Sequence, residues 1–246
     1  MDLGLRGRTA IVCGASSGMG LAVAESLTGE GANVAMFARR RDLLEREAER
    51  LGALAVRGDM TNPKHLEALV GQTVDAFGAL DVLVLSGGGP PAGSAVAMTV
   101  EQVEAAVELL LTPHVRLVGL ALRHLRGSDQ GRIVAIESTS IREPLANLAL
   151  SNAVRPGVVG WLRTLAQELG PDGITVNTIA PGRIDTDRLR SLVPGGFSEA
   201  DLEPVALRRL ATPAEVADVA CFLASSRASY VTGTVIPVDG GLLRGV

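Results

Sequence analysis

The chain has 246 residues, of which 47% are hydrophobic and 20% charged, and its formal charge is −4 at pH 7. These values fit one large α/β domain with a well-buried core and argue against nucleic acid as a partner, because phosphate binding needs a basic face. No run of about 18 apolar residues occurs, so no membrane span is expected, and MDLGLRGRTAIVCG has too short an apolar run, followed by a glycine turn, to read as a signal peptide.

Strand-like and helix-like stretches alternate along the chain. Residues 9–13 (TAIVC) are a short apolar run ending at glycine, 19–29 read as a helix, and 33–38 (NVAMFA) as a second strand. A charged helix follows over 42–51, a third strand over 53–56 and an amphipathic helix over 63–77. Residues 82–85 (VLVL) are a fourth strand, and 100–125 a long helix interrupted at Pro113. The fifth strand is 132–136 (RIVAI), followed by a helix entering at Ser151 and Asn152. The sixth strand is 174–179 (ITVNTI), a late helix covers 213–223, and 235–238 is the seventh strand. Short apolar runs without alternation are what strands buried on both faces look like, and their alternation with helices implies βαβ crossovers. The expected fold is therefore α/β: a single Rossmann-type, doubly wound, mostly parallel seven-stranded sheet with helices on both faces, one domain over 1–246. The least regular stretch, 185–209, contains Pro194, Gly195, Gly196 and Pro204 and reads as a substrate lid beyond the strand carboxyl ends. Cys13 and Cys221 are far apart and read as free, buried thiols of a reducing cytoplasm. Lys64 is the only lysine and Tyr230 the only tyrosine.

The turn after the first strand is C-G-A-S-S-G-M-G, with Gly14, Gly18 and Gly20 around Ser16, Ser17 and Met19. Glycines at this spacing permit a tight turn and bring backbone amides and a helix N-terminus close to a pyrophosphate. The second strand ends in Ala38-Arg39-Arg40-Arg41. An acid there would take the ribose hydroxyls of NAD, whereas Arg39 suits the 2′-phosphate of NADP through charge-assisted bonds. NADP(H) is thus expected in preference to NAD(H). The competing reading of the run is the basic start of a solvated helix, with Glu45 and Glu47 behind it.

With these motifs in place the chain resembles the short-chain dehydrogenase/reductase family over nearly its whole length, and within it the 3-oxoacyl-carrier-protein reductases and related sugar or alcohol dehydrogenases. The glycine spacing matches the family's phosphate turn. Asp59, beside Met60, looks like its adenine-binding acid. Ser86-Gly87-Gly88 stands where the family has Asn-Ala-Gly. Asn177 to Gly182 (NTIAPG), with Pro181, Ile184 and Thr186, matches the segment that holds the nicotinamide. Tyr230 to Gly241 matches the C-terminal strand and tail used in tetramer contacts. The resemblance implies a cytoplasmic homotetramer or homodimer, its dimer face formed by the central helix and the helix near Ser151. It also implies hydride transfer between the nicotinamide and a small carbonyl or alcohol substrate.

The family's working set of Asn, Ser, Tyr and Lys falls on Leu110, Ser138, Ser151 and Arg155. One of the four is retained. A phenol has a reference pKa of about 10 and a neighbouring lysine tunes it toward working pH; an aliphatic hydroxyl is a far poorer acid and is several ångströms shorter. A guanidinium stays protonated, so it stabilises an alkoxide or binds ribose hydroxyls but cannot pass a proton on. Tyr230 is expected away from the site, and His114, one turn past Leu110, reads as structural. If the segment around Ser138 is still extended, Glu137 is expected to point to the opposite side from Ser138. Pro113 should bend the central helix, and Pro156 is tolerable in a first helical turn. Two readings remain: an oxidoreductase with a serine- or water-assisted proton step, and a catalytically inactive dinucleotide-binding sensor or partner subunit.

Overall fold

The computed structural model describes residues 2–193 and 195–245. Among them, the strands β1 (Thr9–Cys13), β2 (Asn33–Ala38), β3 (Leu54–Arg57), β4 (Val82–Ser86), β5 (Arg132–Ile136), β6 (Thr175–Pro181) and β7 (Val235–Val238) form one sheet of order β3-β2-β1-β4-β5-β6-β7. Every pairing is parallel. The order reverses between β1 and β4, and a crevice opens there at the carboxyl ends of the strands, the usual place for a ligand in such a sheet.

The helices are α1 (Gly18–Gly29), α2 (Arg41–Leu51), α3 (Pro63–Phe77), α4 (Val100–Leu110), α5 (Thr112–Arg126), α6 (Ala149–Leu169), α7 (Asp187–Leu192), α8 (Glu199–Leu202) and α9 (Pro213–Ala224). Strand period two divides the core between the sheet's faces. Ala10 and Val12 pack under α1 and α9 with Val23, Leu27 and Val216. Ile11 and Cys13 face Leu66, Leu117 and Leu162 of α3, α5 and α6. Each such fully buried aliphatic side chain contributes about 1.5–3 kcal/mol. Cys13 and Cys221 are both buried and free.

Three local expectations are corrected. The long central helix breaks at Leu111 (φ −105°, ψ −56°), and Pro113 lies in the first turn of α5. A proline ring clashes with the carbonyl four residues earlier, here Leu109, so the chain yields just upstream of the proline. Pro156 is not in a first turn but inside α6, where it faces solvent and withdraws the donor that the Asn152 carbonyl would otherwise meet. The 185–209 stretch, apart from Pro194, which lies outside the described residues, is more regular than expected: it carries α7, capped by Thr186, and α8, capped by Ser198.

The residues of α4 and α5 together are long and apolar enough, by composition, to cross a membrane, yet they carry Glu108 paired with Arg116 at 2.7 Å and bury Leu110, Leu117 and Leu125 against the sheet. That is the pattern of a core helix pair.

Candidate active site

The crevice is a cleft of about 520 Å³ that runs from the turn after β1, past the β4 and β5 ends, to α7. Its wall includes Gly14, Ser16, Ser17, Gly18, Met19, Gly20, Arg39, Asp59, Met60, Ser86, Gly87, Gly88, Ser138, Ser151, Arg155, Pro181, Gly182, Ile184 and Thr186. The structure thus brings every site residue read from the sequence to one cavity. Tyr230 lies outside it, fully exposed.

At the β1 end the cleft wall is largely backbone. Gly14 and Gly18 have φ of 66° and 57°, a region L side chains avoid. A Cβ on Gly20 would come within 2.4 Å of the Gly14 carbonyl oxygen, so helix and turn are in direct contact. Ser17 is the N-cap of α1, yet its side chain makes no capping bond. The first-turn amides are left to an external acceptor, the condition for anion binding at a helix N-terminus. Arg40 donates to Ser16 Oγ at 3.3 Å and to Ser17 Oγ. Arg39, three-quarters exposed, is 3.9 Å from Asp59. Arg40 is therefore the arginine turned onto the phosphate turn, while Arg39 flanks the cleft and is partly occupied by Asp59. The Asp59 carboxylate accepts from the Thr61 amide at 3.0 Å and the Thr61 hydroxyl at 2.9 Å. The backbone bond holds its pKa below the usual carboxylate value, with Arg39 adding to the effect.

At the other end the groups are side chains. Arg155 is buried and makes three contacts: Nε donates to Ser151 Oγ at 3.1 Å, Nη1 to Glu137 at 2.8 Å, and Nη2 to the Gly88 carbonyl at 3.2 Å. Ser151 Oγ also lies 3.2 Å from Ser140 Oγ. Ser138 Oγ accepts from the Ser140 amide at 3.1 Å, which leaves its own hydrogen free to donate.

Glu137 does not point away from the cleft, as the strand alternation had implied. β5 ends at Ile136, so alternation stops one residue short, and the Glu137 carboxylate turns in to meet Arg155. His114 is drawn in as well. It lines the cleft, with Nδ1 4.0 Å from Glu137 Oε1. Neither of those two atoms has a hydrogen-bond partner. Burial, and then the Arg155 charge, lower the His114 pKa to about 4, so it is neutral at pH 7. Burial raises the Glu137 pKa, against the pull of Arg155. Leu110 packs into the core, and its neighbour Leu109 faces the cleft in its place.

Sequence reasoning missed Arg40, Ser140, Glu137, His114 and Arg188 as wall or supporting groups. A signal existed for Glu137: an acid immediately beyond an apolar strand and beside a retained serine. Nothing in the sequence distinguishes Arg40 from Arg39.

A family profile described as enoyl-(acyl carrier protein) reductase matches residues 14–243. The 3-oxoacyl-[acyl-carrier-protein] reductase of Vibrio cholerae is 35% identical over 242 residues, 98% of this chain and 99% of its own. The chain belongs to the short-chain dehydrogenase/reductase family. It is accordingly an NAD(P)-dependent oxidoreductase of the short-chain type. Among solved short-chain dehydrogenase/reductase structures, the L-sorbose reductase of Gluconobacter frateurii, in complex with NADPH and L-sorbose, superposes with a TM-score of 0.91 at 32% identity and full coverage of both chains. An NADPH-bound short-chain oxidoreductase of Pseudomonas aeruginosa, described as containing an atypical catalytic center, gives a TM-score of 0.91 at 28% identity over 97% of this chain and 98% of its own.

Proposed function

We propose that the protein is an NADP(H)-dependent reductase of a small carbonyl compound, or a dehydrogenase of the matching alcohol, in which Ser151 presents the proton that a tyrosine gives elsewhere in the family. The observation that carries this reading is the position of Ser151 Oγ, which accepts from Arg155 Nε at 3.1 Å, lies 3.2 Å from Ser140 Oγ and forms part of the cleft wall. A hydroxyl oxygen has two lone pairs and one hydrogen. With one lone pair held by Arg155, Ser151 keeps a hydrogen to give, to Ser140 or to a group bound in the cleft.

The glycine turn, the uncapped start of α1 and Arg40 fit a dinucleotide with a 2′-phosphate, and its NADPH form supplies the hydride when bound. Arg155 holds Ser151 in register and faces the oxygen on which negative charge develops. Charge-assisted bonds of this kind are about twice as strong as neutral ones. Ser138, with its hydrogen free, positions the substrate oxygen or a water that bridges it to Ser151, in a polar space that suits such a water. Glu137 orients Arg155 through the 2.8 Å pair and balances its charge. The stretch from α7 to α8 serves as the lid. The reading includes a cytoplasmic homodimer or homotetramer, in keeping with two free, buried thiols. The outer faces of α5 and α6 suit such contacts, since Val115 is 44% exposed and Gly157 and Gly160 face open space.

The test is loss of NADPH absorbance with a panel of aldehydes, quinones and 3-oxoacyl thioesters, repeated with Ser151→Ala. Turnover that falls on the order of 10²-fold in kcat, the usual worth of a positioned proton donor, with NADPH affinity unchanged, is expected. Tight NADPH binding with no turnover on any of them would assign the protein instead to a sensor or partner-subunit role.

A further inference from the structure

We infer that the substrate carries a carboxylate and that Arg188, at the mouth of the cleft, is the group that reads it; the inference rests on the oxidoreductase reading and specifies its substrate class. Arg188 is on α7 and lines the same cavity as Ser151 and Arg155. Its guanidinium crosses to the loop after β4, where Nη2 donates to the Pro90 carbonyl at 2.6 Å. That is the single side-chain hydrogen bond it makes among the described residues, and a guanidinium has five donors.

The charges around it are already spent. Arg155 has Glu137 at 2.8 Å. Asp185 and Asp187 are both turned to Arg190, at 2.9 and 3.0 Å. Arg188 has no ion-pair partner among the described residues, and Leu109, Leu145, Leu148, Leu189 and Leu192 supply only apolar surface to this end of the cleft. Desolvation and the nearby Arg155 charge both act to lower the Arg188 pKa, so its charged form lacks a counter-ion where it stands. The situation mirrors the far end, where Arg40 also has no acid partner among the described residues and faces the phosphate turn. An arginine fork held over an apolar wall matches a carboxylate, which it binds with two parallel bonds.

The two cations also share a loop. Arg155 and Arg188 hold the Gly88 and Pro90 carbonyls, two residues apart and so at most about 7 Å along the chain. The two cations therefore flank one short stretch of loop. A carboxylate on Arg188 shares one cavity with the reacting oxygen at Ser151 and Arg155, so the substrate class is an oxo acid with an apolar body. An acyl thioester presents no such anion.

The experiment starts from NADPH affinity, measured by fluorescence on the full chain; its absence overturns the cofactor reading whatever the carboxylate measurements give. Binding of 4-phenylbutanoate and of the uncharged 4-phenylbutanamide is then compared by thermal shift and calorimetry, with and without NADPH. Reduction of 4-phenyl-2-oxobutanoate is compared with that of its methyl ester. The acid is expected to bind at least 10-fold more tightly than the amide and to be reduced in preference to the ester. Arg188→Gln keeps a donor for Pro90 but removes the charge; it should erase the acid preference and leave amide affinity in place. Arg188→Lys should retain part of the preference. Equal affinity for acid and amide in the wild type, or an acid preference that survives in Arg188→Gln, overturns the proposal.

Discussion

At the β1–β2 end of the cleft, the wall rests on backbone: two positive-φ glycines, a third glycine pressed against the turn, and the amides of an uncapped helix. At the β4–β6 end it rests on side chains from four separate segments, with Arg155 tying Ser151, Glu137 and the Gly88 carbonyl together. The contrast shows which parts of a site tolerate rebuilding. A backbone cradle depends on conformation and the absence of a Cβ, so it admits few alternatives. A side-chain cluster can exchange its members as a set, provided that each buried charge finds a partner. Glu137 is the counter-ion of the buried Arg155.

Breaking the set should cost more than trimming it. In Arg155→Leu the Glu137 carboxylate is left buried without its partner, a loss of about 3–5 kcal/mol in unfolding free energy by urea titration. Adding Glu137→Leu should recover most of it, because the stranded charge goes too. A double variant as unstable as the single one would mean that Arg155 acts through Ser151 and Gly88 alone.

The backbone end should fail through binding instead of stability. Gly20→Ala places a Cβ 2.4 Å from the Gly14 carbonyl oxygen and should weaken NADPH binding about 100-fold, or about 2.7 kcal/mol, in a fluorescence titration. Unchanged affinity would show that the turn relaxes and that the backbone end tolerates change as readily as the side-chain end.

The smallest effect concerns pH. His114 has a pKa of about 4 in the folded chain against 6.5 when unperturbed. Between those values the unfolded chain holds more of this proton, so the stability that His114 contributes is full above about pH 6.5 and is lost as pH falls toward 4. From pH 7 to 5 the loss amounts to about 2 kcal/mol. The raised pKa of Glu137 acts in the opposite sense, so the effect is read as a difference: His114→Gln should lose about 2 kcal/mol less than the wild type over that interval. Parallel pH curves for the two proteins would mean that His114 is hydrated in solution.

Much of the architecture was legible because it follows from local rules. β1, β2, β5 and β7 begin and end where apolar runs meet glycine, charge or turn residues, and α3 spans its whole expected range, from the proline after its Asn62 cap to Gly78. Ser138, Ser151 and Arg155 could be read together because their spacing is a property of the chain, and the structure brings all three to one cavity. Errors came where a local rule stopped short: the alternation that fails beyond Ile136, the proline that moves the break to Leu111, and the arginine run in which one member folds back over the turn.

From its order of residues alone this protein is committed to a parallel sheet with a glycine-lined phosphate turn, since strand periodicity, turn chemistry and the absence of a Cβ act over a few neighbouring positions. Which side chains meet at the far end was decided only by tertiary structure. Arg155, Glu137, His114 and Arg188 lie on different segments, and whether each is paired, neutral or left seeking an anion depends on the distances and desolvation that folding alone creates.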